Sequence, residues 1–147
     1  PRTDFTESEI RRGLFRSLIA AVYSDGGWAA AEQALVNLSS TSIVTNATGV
    51  SHYMATKMGI IGFTRGLAND LGKDFITVNA VAPALTATPG TSHLPDAARD
   101  AIVNRQAFKR IAVPHDIVGP ILFLTSEDAQ FMTGQVLAVD GGMMKVA

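Results

Sequence analysis

Residues 51–83 read SHYMATKMGIIGFTRGLANDLGKDFITVNAVAP, and they join a long helix to a buried strand. The helix spans 51–71, with Met54, Met58, Ile61, Phe63 and Leu67 supplying apolar contacts and Gly72 closing it. Gly59, Gly62 and Gly66 interrupt it. Each costs ~1 kcal/mol relative to Ala in a helix, so close packing of this face against another backbone is the expected compensation. The strand is Ile76 to Ala82, rich in β-formers and stopped by Pro83, which has no N–H to give a sheet.

Working outward, Leu35 to Ser39 has the length and bounds of another buried strand and ends in a Ser/Thr cluster. Upstream of it, residues 6–23 read as a helix. Thr6 and Glu9 form a capping box, Ile10, Leu14, Leu18, Ile19 and Val22 give the apolar stripe, and residues 24–27 (SDGG) stop it. A short Ala-rich linker, 28–34, follows. Downstream, residues 84–95 form a loop with Pro89, Gly90 and Pro95, and a helix is expected from Asp96 to about Phe108. A further helix starts after Pro114 and runs through Leu124, and the last strand is Val136 to Val139, ended by Asp140, Gly141 and Gly142. Strands separated by helices imply an α/β fold with a parallel sheet and right-handed crossovers. In such sheets ligands bind beyond the carboxyl ends of the strands, so the Ser/Thr cluster is where chemistry is sought.

A chain of 147 residues, 47% apolar and 17% charged, is one globular domain's worth. Twelve Lys and Arg against thirteen Asp and Glu provide no basic stripe for nucleic acid. With no cysteine there is no disulfide, thiolate metal site or cysteine nucleophile, and His52, His93 and His115 are too dispersed to suggest a metal. No apolar run approaches the ~20 residues that span a bilayer. The expectation is a soluble cytoplasmic protein.

Tyr53 and Lys57 stand four apart on the 51–71 helix and so project from one face. A phenol of pKa about 10 is a poor acid or base near neutrality, but a neighbouring ammonium favours phenolate. Such a pair can exchange a proton with an alcohol or ketone. The spacing alone is equally that of an ordinary exposed helix face. Ser39 and Ser40 end the preceding strand, Ser40 thirteen residues before Tyr53, so a hydroxyl can be aimed at the same spot to hydrogen-bond a substrate oxygen. Ser40 can equally be a turn or cap residue.

Several stretches together are similar to the C-terminal half of a short-chain dehydrogenase/reductase: residues 37–40 (NLSS), 53–57 (YMATK), 62–68 (GFTRGLA), 76–83 (ITVNAVAP), 133–135 (TGQ) and 139–142 (VDGG). The resemblance spans about 34–142. It implies a truncated Rossmann-like parallel sheet of about three strands flanked by helices, with 1–33 an N-terminal helix and linker and 34–147 the catalytic half. It implies Tyr53 as catalytic acid/base, Lys57 as the residue that lowers its pKa and binds the nicotinamide ribose, and Ser40 as the group orienting the substrate oxygen. The segment after Pro83 would lie along the nicotinamide of NAD or NADP, with the backbone of Thr86 near the carboxamide and Thr88 near the pyrophosphate. Residues 88–108 match the region that covers substrate, and Leu94, Phe108 and Ile111 line an apolar pocket or make ordinary core contacts.

The sequence departs from the family in three places. Ala84 stands where Gly usually follows the proline. The family's catalytic Asn is missing, since residues 6–23 contain no Asn. No Gly-rich turn opens a helix anywhere in the chain, so the site for the adenine half of the cofactor is lacking. Three readings follow. The first is an NAD(P)-dependent oxidoreductase acting on a secondary alcohol or ketone. The second is a cofactor-free acid/base enzyme such as a cyclase, isomerase or dehydratase. The third is a non-catalytic oligomeric module. A homo-oligomer is expected through the Gly59, Gly62 and Gly66 face and around Val136 to Met144, partly because the serine strand otherwise presents an unpaired edge.

Overall fold

The computed structural model describes residues 34–45 and 48–145, and the helix and linker expected over 6–33 lie outside them. Its elements run in chain order β1 (Ala34–Leu38), α1 (Ser51–Leu71), β2 (Thr77–Pro83), α2 (Asp96–Arg105), α3 (Pro114–Leu124) and β3 (Val136–Val139), with short 3-10 turns between them. The three strands form one parallel sheet in the order β1-β2-β3, as the alternation of strands and helices required. Ala34 pairs with Thr77 and Leu38 with Val81, while Ala80 pairs with Val136 and Pro83 with Val139.

Central β2 is buried along nearly its whole length; Val78, Ala80, Val81 and Ala82 are 0% exposed. Covering on both faces explains why its sequence is a continuous apolar run and not an alternating one. On one face, Val36 and Val81 meet Ile117, Ile121 and Leu124 of α3, with Met132, Leu137 and Val139 packed against them. The i, i+4, i+7 spacing of the α3 residues gives the single stripe a sheet-packing helix needs. On the other face lies α1, which buries Ile60, Ile61, Thr64 and Ala68. Asn37 points to that side and donates through Nδ2 to Thr64 Oγ1 at 3.0 Å; Thr64 in turn donates to the Ile60 carbonyl at 2.7 Å. The result is three layers, helix on sheet on helix, around one core.

Asn79, 1% exposed, ties β2 to the approach of β3. Its Nδ2 donates to the Met132 carbonyl at 2.7 Å and its Oδ1 accepts from the Gln135 N–H at 3.0 Å. Buried polar groups survive only when hydrogen-bonded, and both ends of this amide are.

One expectation needs correction. The helix over 96–108 ends at Arg105, because Gln106 turns to extended backbone and buries its side chain, whose Nε2 donates to the Asp140 carbonyl at 3.1 Å. Among the described residues the Gly59, Gly62 and Gly66 face meets no backbone, since an added Cβ at each finds nothing within 4 Å.

Beyond β3 the chain turns through Gly141 and Gly142, both at positive φ. The Gly141 carbonyl accepts from the N–H groups of Ala107 and Phe108 at 2.8 and 2.9 Å, which fixes the segment leaving α2. Arg110 grips Asp116 with both guanidinium nitrogens at 2.7 and 2.8 Å, and Asp116 also accepts from the Val113 N–H at the start of α3. The Arg110 hydrogen bond, with help from that N–H, holds the Asp116 carboxyl well below the usual carboxylate range. Among the described residues, no helix is long and apolar enough to cross a membrane.

Candidate functional site

Parallel strands bring Leu38 and Pro83 to the same end of the sheet, and a cleft of about 540 Å³ opens there. That is the position at which open α/β sheets bind ligands, and the volume suits a small molecule. Ser40, Tyr53, Lys57, Pro83, Thr86 and Thr88, singled out from sequence, all line it.

β1 and α1 set the floor by a reciprocal pair of hydrogen bonds. Ser39 Oγ donates to the Lys57 carbonyl at 2.9 Å, and Lys57 Nζ donates to the Leu38 carbonyl at 2.9 Å. The two serines that end β1 therefore have different work. Ser39, 3% exposed, is spent on this brace. Ser40 caps the 3-10 turn Thr41–Val44, where its Oγ accepts from the Ser42 N–H at 3.2 Å. A hydroxyl that accepts one bond keeps its own O–H to donate, so Ser40 is both a cap and a donor on the cleft wall.

Tyr53 lies one helical turn before Lys57, whose Nζ sits 5.7 Å from the phenol ring centroid, within cation–π range. Tyr53 remains 41% exposed at the cleft. Burial lowers the Lys57 pKa from its ordinary value, because desolvation disfavours the ammonium.

The opposite wall comes from the segment after β2. Ala87 N–H donates to the Ala112 carbonyl at 2.8 Å and Ala112 N–H to the Leu85 carbonyl at 3.2 Å, forming a single parallel bridge at Thr86. This geometry directs the Thr86 N–H and carbonyl away from Ala112. The carbonyl accepts from Thr91 Oγ1 at 2.7 Å, and no hydrogen bond to the Thr86 N–H occurs among the described residues. Thr88 N–H is held by Thr91 Oγ1 at 3.0 Å. Ala84 in place of the family's glycine brings no left-handed backbone, since Phe75 alone among the described non-glycine residues has positive φ.

Leu94 lines the cleft as expected, but Phe108 and Ile111 do not. Phe108 faces a separate hollow of about 370 Å³ beside the Arg110 and Asp116 pair, and Ile111 a smaller one near Arg99. The bonds from Gly141 to residues 107 and 108 turn that stretch toward the end of β3. Sequence reading missed Arg105 and Met143, which also line the cleft. Arg105 lies three residues after Ile102 on α2, so a helical wheel about Ile102 could have found it.

These groups fit one end of a nicotinamide nucleotide. Lys57, Tyr53, the Thr86 N–H and the wall after Pro83 face one cleft of adequate size. For the adenine end, the sequence contains no Gly-rich turn between a strand and a helix.

Comparison with known proteins agrees with the geometry. A family model described as enoyl-(acyl carrier protein) reductase matches residues 13–144. The 3-oxoacyl-[acyl-carrier-protein] reductase FabG of Thermotoga maritima is 39% identical over 110 residues, covering 75% of this chain and 45% of that protein. The (2S)-[(R)-hydroxy(phenyl)methyl]succinyl-CoA dehydrogenase subunit BbsD of Thauera aromatica is 42% identical over 108 residues, covering 74% of this chain and 43% of that protein. The crystal structure of a 3-oxoacyl-[acyl-carrier protein] reductase with bound NAD from Brucella melitensis superposes with a TM-score of 0.67 at 39% identity, covering 76% of this chain and 41% of that one. The chain thus spans less than half the length of the curated relatives it matches. Sequence motifs, a parallel sheet with a cleft at its carboxyl end, and these matches agree: the chain belongs to the short-chain dehydrogenase/reductase family.

Proposed function

We propose that this chain carries the catalytic half of an NAD(P)-dependent oxidoreductase that interconverts a secondary alcohol and a ketone. The observation that supports this most is the meeting of Ser40, Tyr53 and Lys57 in one cleft with the Pro83 to Thr88 wall. In the direction of reduction, the Ser40 O–H hydrogen-bonds the carbonyl oxygen and steadies it as negative charge develops. Tyr53 then gives its phenolic proton to that oxygen. The Lys57 ammonium offsets the charge left on the phenol and holds the ribose, the Thr86 N–H meets the carboxamide, and Thr88 lies toward the pyrophosphate. A nicotinamide nucleotide bound there would give hydride to, or take it from, the substrate carbon. In oxidation Tyr53 and Ser40 run the same steps in reverse.

Titrating the purified chain with NADH and NADPH while following nicotinamide fluorescence tests this. Saturable binding, with ketone reduction lost in Tyr53→Phe but nucleotide binding kept, is the expected result. No saturable signal at millimolar nucleotide would remove the reading.

The face of α1 on which Gly59, Gly62 and Gly66 meet nothing among the described residues, with Met58 and Phe63 roughly half exposed, supports assembly into a homo-oligomer. A stable monomer by light scattering at micromolar concentration contradicts that.

A further inference from the structure

The charges around the cleft are one-sided. Among the described residues, no Asp, Glu or His lines it, while two cations do, Lys57 and Arg105. In a chain of formal charge −1 this segregation selects for anions. Lys57 is committed to the Leu38 carbonyl and stands beside Tyr53. Arg105 makes no ion pair among the described residues, where Arg99 and Arg110 each have an aspartate. It sits at the last residue of α2 and shares a face with Ile102, three residues before it. Leu85, Leu94 and Ile102 add apolar surface to the same cleft. An arginine, apolar wall beside it, and Ser40 and Tyr53 all lining the same space describe a complementary ligand.

We infer that Arg105 anchors an anionic group of the substrate, so that the substrate class is an oxo- or hydroxyacid whose carboxylate or phosphate is separated from the reacting carbon by an apolar chain. This inference rests on the proposed dehydrogenase reading for the reacting end, and on cleft charge alone for the anchoring end. Guanidinium pairs with carboxylate or phosphate through two parallel hydrogen bonds, which fixes orientation as well as adding affinity. The nucleotide's own phosphates are the other anion that could meet Arg105, and the test separates the two. So too is the plain alternative that Arg105 only complements the carbonyl end of α2.

The test uses the full chain and two matched ligands, 5-oxohexanoate and its uncharged methyl ester, with dissociation constants from ligand-observed NMR. Wild type is expected to bind the acid about tenfold or more tightly than the ester, the range for a charge-assisted hydrogen bond. Arg105→Gln should erase that preference and leave the ester's affinity unchanged, and Arg105→Lys should restore part of it. Equal binding of acid and ester by wild type, no saturable binding of the acid, or a preference that survives Arg105→Gln each overturns the inference. Weakened NADH binding in Arg105→Gln with no acid preference in wild type assigns Arg105 to the nucleotide and overturns it as well. If Arg105 only complements the helix end, Arg105→Gln lowers thermal stability and shifts acid and ester affinity together, which also refutes it. Turnover with NADH and NADPH is scored separately. Acid preference without turnover keeps the anion anchor and removes the dehydrogenase reading; turnover without acid preference does the reverse.

Discussion

Asn79→Leu removes one amide and orphans two backbone groups. The Met132 carbonyl loses its donor at 2.7 Å and the Gln135 N–H its acceptor at 3.0 Å, 53 and 56 residues away in sequence. Both bonds are partly shielded, so each lost partner costs about 1–2 kcal/mol and the pair about 2–4. Leucine is close in shape to asparagine, and its extra apolar surface on the side packed by α3 returns only part of this. For a domain of this size a loss near 3 kcal/mol lowers the melting temperature by roughly 10 °C. Asn79→Asp is the sharper comparison. At neutral pH its carboxylate still accepts from Gln135 but cannot donate to Met132, and it buries an unpaired charge, so it should destabilise at least as much as leucine. Protonation restores a donor. Burial raises the folded-state pKa above the unfolded value of about 3.9, so the penalty is full above the folded pKa and is relieved as pH falls through it. Urea denaturation of wild type and both variants between neutral and mildly acid pH measures this. A loss under about 1 kcal/mol for Asn79→Leu, or an Asn79→Asp deficit that does not shrink on acidification, would refute the view that this amide joins β2 to β3.

The other predictions concern the turns flanking β3 and the start of α3. Gly142→Ala should destabilise by about 2–4 kcal/mol, from left-handed backbone and overpacking together, because its φ is +81° and a new Cβ would lie 2.9 Å from Ala107 Cβ. Gly134→Ala, at φ +71° with Ala68 Cβ at 3.6 Å, has the backbone cost alone and should lose about 1–2 kcal/mol in the same urea titration. Similar losses at the two sites would show that the contact with Ala107 is slack. The depressed Asp116 carboxyl contributes stability that is complete above about pH 4 and is lost as pH falls through its folded value. Asp116→Asn should therefore flatten the acid limb of the stability profile, and an unchanged limb in acid titration by circular dichroism would contradict that.

Local signals were enough for most of the fold. Pro83, Gly72 and Pro114 carry backbone restrictions that act within a residue or two, and the elements they bound, β2, α1 and α3, begin or end within one residue of where those restrictions place them, β2 taking in Pro83 and α3 starting at Pro114 itself. β1 begins one residue earlier than its apolar run suggested because Ala34 pairs with Thr77, a matter of the neighbouring strand and not of its own side chain. The end of α2 was illegible for a similar reason. Nothing near Gln106 breaks a helix, and the Asp140 carbonyl that draws its side chain inward is 34 residues away. Tyr53, Lys57 and the serine pair could be picked out because helix spacing and a strand end predict convergence at the carboxyl end of a parallel sheet, whereas Pro83, Thr86 and Thr88 came from the family resemblance. Spacing alone did not separate Ser39 from Ser40, and the choice of Ser40 came from the resemblance; the structure distinguishes them through the bond from Ser39 Oγ to the Lys57 carbonyl 18 residues on. Phe108 and Ile111 were misplaced because the turn through Gly141 and Gly142 decides where that stretch goes.

The crossed bonds between Ser39, Lys57 and Leu38 have a bearing on how much change the neighbouring loop tolerates. Helix and strand are pinned to each other directly, so the length of the connecting segment is not what measures the gap between the serine hydroxyl and the phenol. Residues could be added to or trimmed from that segment near Gly49 while the chemical groups keep their mutual positions, whereas shifting the helix by one residue against the strand would break both bonds at once.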